Sequence, residues 1–190
     1  MWKNRYEKQI AGLVLGAVGI LTAQVAQAGS STLSLGYAQS KVQNFKNMPG
    51  VNLQYRYEWD SALSVMASLS VLQNDVDSTT HWWGVTSQDH VKARYNSLLI
   101  GPAWRLNEAV SLYAAAGMSH SQMARDYVSS AGQAPIHYAD TVNALAYGGG
   151  VLVNLSAHVT ANLGYEGSQT RVQGQRRHVN GVNVGLGYRF

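Results

Sequence analysis

The residues of this 190-residue chain able to carry acid–base or nucleophilic chemistry are its six histidines, His81, His90, His120, His137, His158 and His178, together with many serines. With an acid alongside, a His–Ser pair would make a hydrolase or acyl-transfer centre, in which the imidazole activates the hydroxyl. The spacing does not support that reading. No Gly-x-Ser-x-Gly elbow is present. Most of the histidines fall in or beside polar connecting segments, where a hydrophilic loop residue is the simpler account. His81 and His90 lack the acidic or Cys pattern of a metal centre, and the chain has no Cys. Catalytic, cofactor-binding and metal-ligating residues are therefore all predicted to be absent. Two other groups suit recognition. His81-Trp82-Trp83-Gly84-Val85 puts paired tryptophans within a long polar stretch, and Trp is favoured at binding hot spots because it buries a large rigid area. Lys92, Arg94, Arg125, Arg171, Arg176 and Arg177 supply cations that attract phosphates, sulfates or acidic protein patches in a salt-sensitive way.

The segments that would position these residues begin after a leader. Met1 to Gln9 holds Lys3, Arg5 and Lys8 against Glu7, Ile10 to Ala26 is mostly apolar, and Ala26-Gln27-Ala28 has the small-x-small form of a cleavage site. Residues 1–28 are predicted to be a secretory signal peptide and residues 29–190 a single domain. The leader takes three basic residues and one acidic residue with it, so the formal net charge drops from +4 to +2. That small excess removes the main support for nucleic acid as a partner. An exported chain without disulfides needs another brace, and a closed hydrogen-bonded barrel is one.

Beyond residue 28 the dominant signal is alternation with a period of two, which marks strands with one apolar and one polar face. Val51, Leu53, Tyr55 and Tyr57 alternate with Asn52, Gln54, Arg56 and Glu58; Val159, Ala161, Leu163 and Tyr165 alternate with Thr160, Asn162, Gly164 and Glu166. Eight such strands are read, the last ending Val182, Val184, Leu186, Tyr188, Phe190. Pro102 sits within the fourth, where a local irregularity is expected. Short turns are predicted at Asp60-Ser61, Asn107-Glu108 and Leu155-Ser156, and long loops near residues 41–49, 73–91, 124–139 and 173–178. This is the pattern of an all-β, eight-stranded antiparallel transmembrane β-barrel, with short periplasmic turns, long extracellular loops and lipid against the apolar face. A soluble β-sandwich or lipocalin-like barrel has the same alternation with the faces reversed. The aromatics Tyr55, Tyr57, Trp59, Trp104, Tyr188 and Phe190 suit a membrane interface. An eight-stranded barrel is just wide enough to be filled by its own side chains, so Arg56, Glu58, Arg105, Glu166 and Arg189 are predicted to form a polar plug of both signs.

Several stretches, in order along the chain, resemble the Ail/Lom/OmpX family of outer-membrane proteins: Gly36 to Ser40, Asn52 to Glu58, Gly101 to Asn107, Tyr147 to Gly150, Tyr165-Glu166 with Ser168, and Gly185 to Phe190. The loops lack a comparable match. The resemblance implies an eight-stranded monomeric barrel in the bacterial outer membrane, an aromatic tail (Tyr188, Phe190) read by the barrel assembly machinery, and contact with lipid and lipopolysaccharide. It also implies adhesion, invasion of host cells or resistance to complement. On this reading the partners are the host-cell surface, matrix proteins or complement regulators, met by Trp82, Trp83, Lys92, Arg94, Arg125, Arg171, Arg176 and Arg177. A structural or envelope-stress barrel and a lipid-modifying enzyme are the alternatives.

Overall fold

The computed structural model describes residues 29–42, 47–83, 85–129, 136–172 and 175–190; the leader expected at residues 1–28 lies outside them. Eight strands follow in chain order: β1 (Gly29–Val42), β2 (Asn47–Trp59), β3 (Leu63–Trp82), β4 (Val85–Arg105), β5 (Val110–Ser129), β6 (Ile136–Asn154), β7 (Val159–Val172) and β8 (Gln175–Arg189). Each pairs antiparallel with its sequence neighbours, and β8 returns to β1, closing the barrel. At the seam Ser31 and Phe190 exchange both backbone hydrogen bonds, at 3.0 and 2.9 Å.

The stagger can be followed rung by rung. From Leu33 the partners run Tyr55, Ala67, Ile100, Ala116, Tyr147, Gly167 and Asn180, and arrive at Lys41, eight residues farther along β1. A stagger of that size with eight strands requires the strands to tilt by roughly 35–45°. Along the apolar band of the barrel the outward side chains are mostly apolar, and most polar ones face in. Leu163 is 59% exposed and Leu145 81%, while Asn52, Gln54, Arg56, Glu58 and Asn162 are buried. That inversion excludes the soluble alternative, because in water the exposed apolar belt would have nothing to cover it. The outward aromatics include Tyr55, Trp59, Trp104, Tyr188 and Phe190. Tyr188 stacks on both Phe190 and His158, and Tyr57 meets Trp59 edge-on.

The irregularity expected at Pro102 is present and local. On the β3 side Val65 pairs with Pro102. On the β5 side the rungs stop at Ile100↔Ala116 and resume at Ala103↔Tyr113 in unchanged register. Proline offers no N–H, so the ladder loses rungs there without slipping. Inside, Tyr113 lies across the wall where Gly164 leaves space; a Cβ at 164 would collide with the Tyr113 hydroxyl.

Two expectations need correction. Most of the stretches read as long loops are paired strand. The β3–β4 ladder continues to Trp82↔Val85, β5–β6 to Tyr127↔Ile136, β7–β8 to Val172↔Gln175 and β1–β2 to Lys41↔Asn47. Polar side chains hid these strands, because beyond the bilayer both faces meet water and the alternation fades, whereas the backbone ladder needs no particular side chain. The interior is also less polar than predicted. Met48, Leu72, Ala93, Tyr95 and Val179 form one buried apolar cluster, and Met66, Leu99, Tyr113, Ala115 and Leu152 belong to another.

Replacing Leu163 by Arg sets a charge on the lipid-facing wall. Assembly should weaken by about 2–4 kcal/mol if the site is near mid-bilayer. The readout is the fraction of unboiled protein migrating as folded barrel on SDS gels after refolding across a urea series, compared with the unchanged chain.

Candidate functional site

The buried charged side chains described inside the barrel fall into two groups. Near the short turns, Arg56 pairs with Glu58 at 2.8 Å and donates to Ser64 and Ser111, at 3.0 and 2.9 Å. Arg189 approaches the other Glu58 oxygen at 3.5 Å and donates to Ser30. Arg105, expected in the same plug, instead donates to the Ser61 carbonyl at the rim. The second set lies farther along the axis. Glu166 accepts from Tyr95 at 2.6 Å and from Ser70 at 3.0 Å, and Asn52 donates to Ser68 and Ser70. Tyr95 is 1% exposed and Glu166 6%. The single plug of mixed charge thus resolves into an Arg–Glu–Arg group and a separate carboxylate held by hydroxyls. Tyr95 escaped the sequence reading, although its parity with inward Ser97 in β4 was a usable signal. These bonds tie β2, β3, β4, β5 and β7 across the lumen, the work of a structural brace.

On the outer surface the edge of the lipid band is sharp. The rung Leu69–Leu98–Met118–Leu145 is apolar; the next alternate rung, Val71–Asn96–His120–Asn143, is mostly polar. His120 Nδ1 donates to the Asn143 side-chain oxygen at 2.6 Å, and the Gln122 amide meets His120 Nε2 at 3.0 Å. Farther out come Gln73–Arg94–Gln122–Thr141 and Asp75–Lys92–Ala124–Ala139. Strands β3 to β6 run on together from this edge. At about 3.3 Å per residue and the tilt above, β4 carries the sheet roughly 30 Å past the apolar rungs. The flanking ladders stop earlier, with the last rungs of β2–β3 at Gly50↔Leu72 and of β6–β7 at Tyr147↔Gly167. The projection is therefore a four-stranded sheet bounded by β3 and β6, and at its root the Asn74 side-chain amide donates to the Asn47 backbone carbonyl.

The cations singled out in the sequence are distributed over this end. Lys92 and Arg94 face outward on β4, beside the edge of the lipid band, with Asp75 opposite Lys92. Arg125 lies on the opposite face and grips Asp89 with two hydrogen bonds, at 2.8 and 2.7 Å. Arg177 donates to Gln175 at 2.8 Å. Arg171 and Arg176 pair as backbone positions near the end of the β7–β8 hairpin, and their side chains are outside the described residues. Trp82 closes β3 opposite Val85, its side chain likewise outside. Trp83 stands at the tip, 92% exposed, with φ of 48°. Asp77 bonds His90 farther down the hairpin, and His81 meets Thr86 at 2.9 Å. The Arg125 hydrogen bonds hold the Asp89 carboxyl below the usual carboxylate range, against a smaller upward push from burial. Arg125 is thus partly neutralised. Among the described residues no cluster of His, Asp or Glu is arranged to hold a metal ion.

With the geometry in hand, comparison with known proteins adds three findings. The family described as outer membrane protein beta-barrel domain matches residues 11–190. The virulence membrane protein PagC of Salmonella typhimurium is 39% identical over 90% of this chain and 92% of its own length; the attachment invasion locus protein of Yersinia enterocolitica is 30% identical over 95% and 97%. Among solved structures, Ail, the attachment invasion locus protein of Yersinia pestis, in complex with the heparin analogue sucrose octasulfate, superposes with a TM-score of 0.68. It is 30% identical and matches over 86% of this chain and 100% of the solved one. These relatives are named for the outer membrane, attachment or virulence rather than for a reaction.

Tyr95→Phe removes the shorter hydrogen bond to Glu166 and should cost about 1–3 kcal/mol, measured as a lower urea midpoint for unfolding in lipid with the barrel still closed. Asp89 gives a pH dependence. Its carboxyl is lowered in the folded chain, so its contribution is complete above the ordinary carboxylate value near 4 and is lost as pH falls through the lowered folded one. Amide protection factors in outer β4 and β5 should drop across that acidic window, and Asp89→Asn should abolish the drop.

Proposed function

The chain belongs to the Ail/Lom/OmpX group of outer-membrane β-barrel proteins, and from that premise we propose that it is a surface adhesin whose projecting β3–β6 sheet and β7–β8 hairpin meet host cells or matrix. The observation that carries this reading is the sheet itself, which extends roughly 30 Å beyond the lipid band. A barrel needing only to sit in the membrane has no use for that length. Short turns face the periplasm in such barrels and long hairpins face outward, so the projection stands on the cell exterior. The attachment and virulence names of the relatives support the same role.

The proposed ligand chemistry is anionic. The Yersinia pestis relative was solved with a heparin analogue. Here Arg171, Arg176 and Arg177 lie in the outer part of the β7–β8 hairpin, suited to sulfated glycans or acidic patches of matrix proteins and complement regulators. Lys92 and Arg94 have a different task on this reading. They lie so near the apolar rungs that lipopolysaccharide phosphates are their nearer partners. Capture of a complement regulator by the same hairpins would add serum resistance. Handling by the barrel assembly machinery through Tyr188 and Phe190, and a monomeric state, complete the proposal.

Bacteria displaying the chain should bind cultured epithelial cells, and binding should fall at least tenfold when Trp82, Trp83, Arg176 and Arg177 are changed to Ala at matched surface levels. Added heparin should compete, less effectively as salt rises. Unchanged binding by the variant overturns the assignment to these hairpins, and absence of binding by the intact chain leaves a structural barrel.

A further inference from the structure

The β3–β4 tip combines three properties that the barrel and the cations do not explain. Trp83 is almost wholly exposed, and it alone among the described non-glycine residues has a positive φ. A left-handed turn position is ordinarily filled by Gly, Asn or Asp, and a bulky residue there is strained. The indole is held out at that cost. Between Asp77 and Asp89 the hairpin has no Asp, Glu, Lys or Arg. The two acids bounding this stretch are themselves held, Asp77 by His90 and Asp89 by Arg125. Finally, backbone pairing continues to Trp82↔Val85, so the tip can leave bulk water with few backbone groups unsatisfied.

A convex, uncharged point carrying an exposed indole, with a charged collar below it, fits an interface between water and hydrocarbon. Tryptophan is concentrated at such interfaces, where apolar groups enter to a depth of roughly 5–10 Å. A charged protein surface would be matched better by ionised side chains near the indole, and the sequence places none between Asp77 and Asp89. The protein's own bilayer is out of reach, since the tip stands roughly 30 Å from the apolar rungs. We infer that the β3–β4 tip inserts Trp83 into the headgroup region of a second, opposing membrane of zwitterionic phospholipid, with the Asp77–His90 and Asp89–Arg125 pairs limiting its depth. The inference rests on the adhesin reading and names what this hairpin meets.

The test uses the full mature chain in nanodiscs, with Trp59 and Trp104 changed to Phe so that only the tip tryptophans emit. Separate phosphatidylcholine vesicles are added and floated on a density gradient. The expected result is co-flotation with a blue-shifted emission that brominated lipid quenches. Trp83→Ala should lower the bound fraction at least fivefold, and Trp82→Ala/Trp83→Ala should lower it to background. Trp83→Gly, which relieves the strained turn while deleting the indole, should behave like Trp83→Ala; binding restored by Gly overturns the inference, as does flotation that is absent or equal in the variants. Binding that needs anionic lipid and vanishes at high salt also overturns it, because the basic residues would then be responsible. Vesicle binding by a chain whose bacteria fail to hold cells removes the adhesin reading and leaves the insertion standing. Cell binding without vesicle binding does the reverse.

Discussion

Closure of the hydrogen-bond ladder is the constraint on which everything else in this molecule depends. The bilayer offers no water to a lone N–H or C=O, so each strand within it must be paired on both sides. β1 therefore meets β8 as firmly as it meets β2, and Ser31 and Phe190 finish the seam. A stagger of eight residues around eight strands sets the tilt and, with it, the narrow bore. The exception at Pro102 is instructive. The residue without an N–H breaks rungs on one side only, and the register on either side of the gap is the same.

The narrow bore turns the usual arrangement of a protein inside out. Lipid accepts the apolar face, and the polar face must find partners within the lumen. It does so through long reaches across the barrel: Gln54 to Asn183, Arg56 to Ser111, Ser70 and Tyr95 to Glu166. A buried charge stripped of such partners is costly, which is why Arg56 and Glu58 stand together and Glu166 is surrounded by hydroxyls. Apolar side chains such as Met66, Leu99 and Leu152 pack into the same interior.

Where the strands leave the lipid the constraint relaxes, and there the architecture opens. The β2–β3 and β6–β7 ladders end, while β3 to β6 continue as a sheet that water can solvate. The proposed function falls in this region for a physical reason: side chains there no longer have to satisfy lipid or lumen. The cations divide between positions close to the lipid edge and positions far out on the hairpins, and the exposed indole of Trp83 occupies the extreme. Membrane residence and surface contact are therefore carried by one set of strands, separated along their length.

Alternation in the sequence was enough to determine the strands inside the bilayer, their number and their faces, because a chain meeting lipid on one side and a packed lumen on the other must repeat every second residue. Val51 to Glu58 and Val159 to Glu166 are legible for that reason. The same signal failed beyond residue 72, where water lies on both sides and Asp75, Asp77 and Thr79 read as loop although they are strand. Interior partnerships were equally out of reach. Period two says that Arg56, Arg105, Glu58 and Glu166 point inward; it says nothing of height along the axis, and height decides which of them meet. That is set by stagger and closure, so only the assembled barrel could send Glu166 to Tyr95, turn Arg105 to the rim and carry Trp83 far from the membrane.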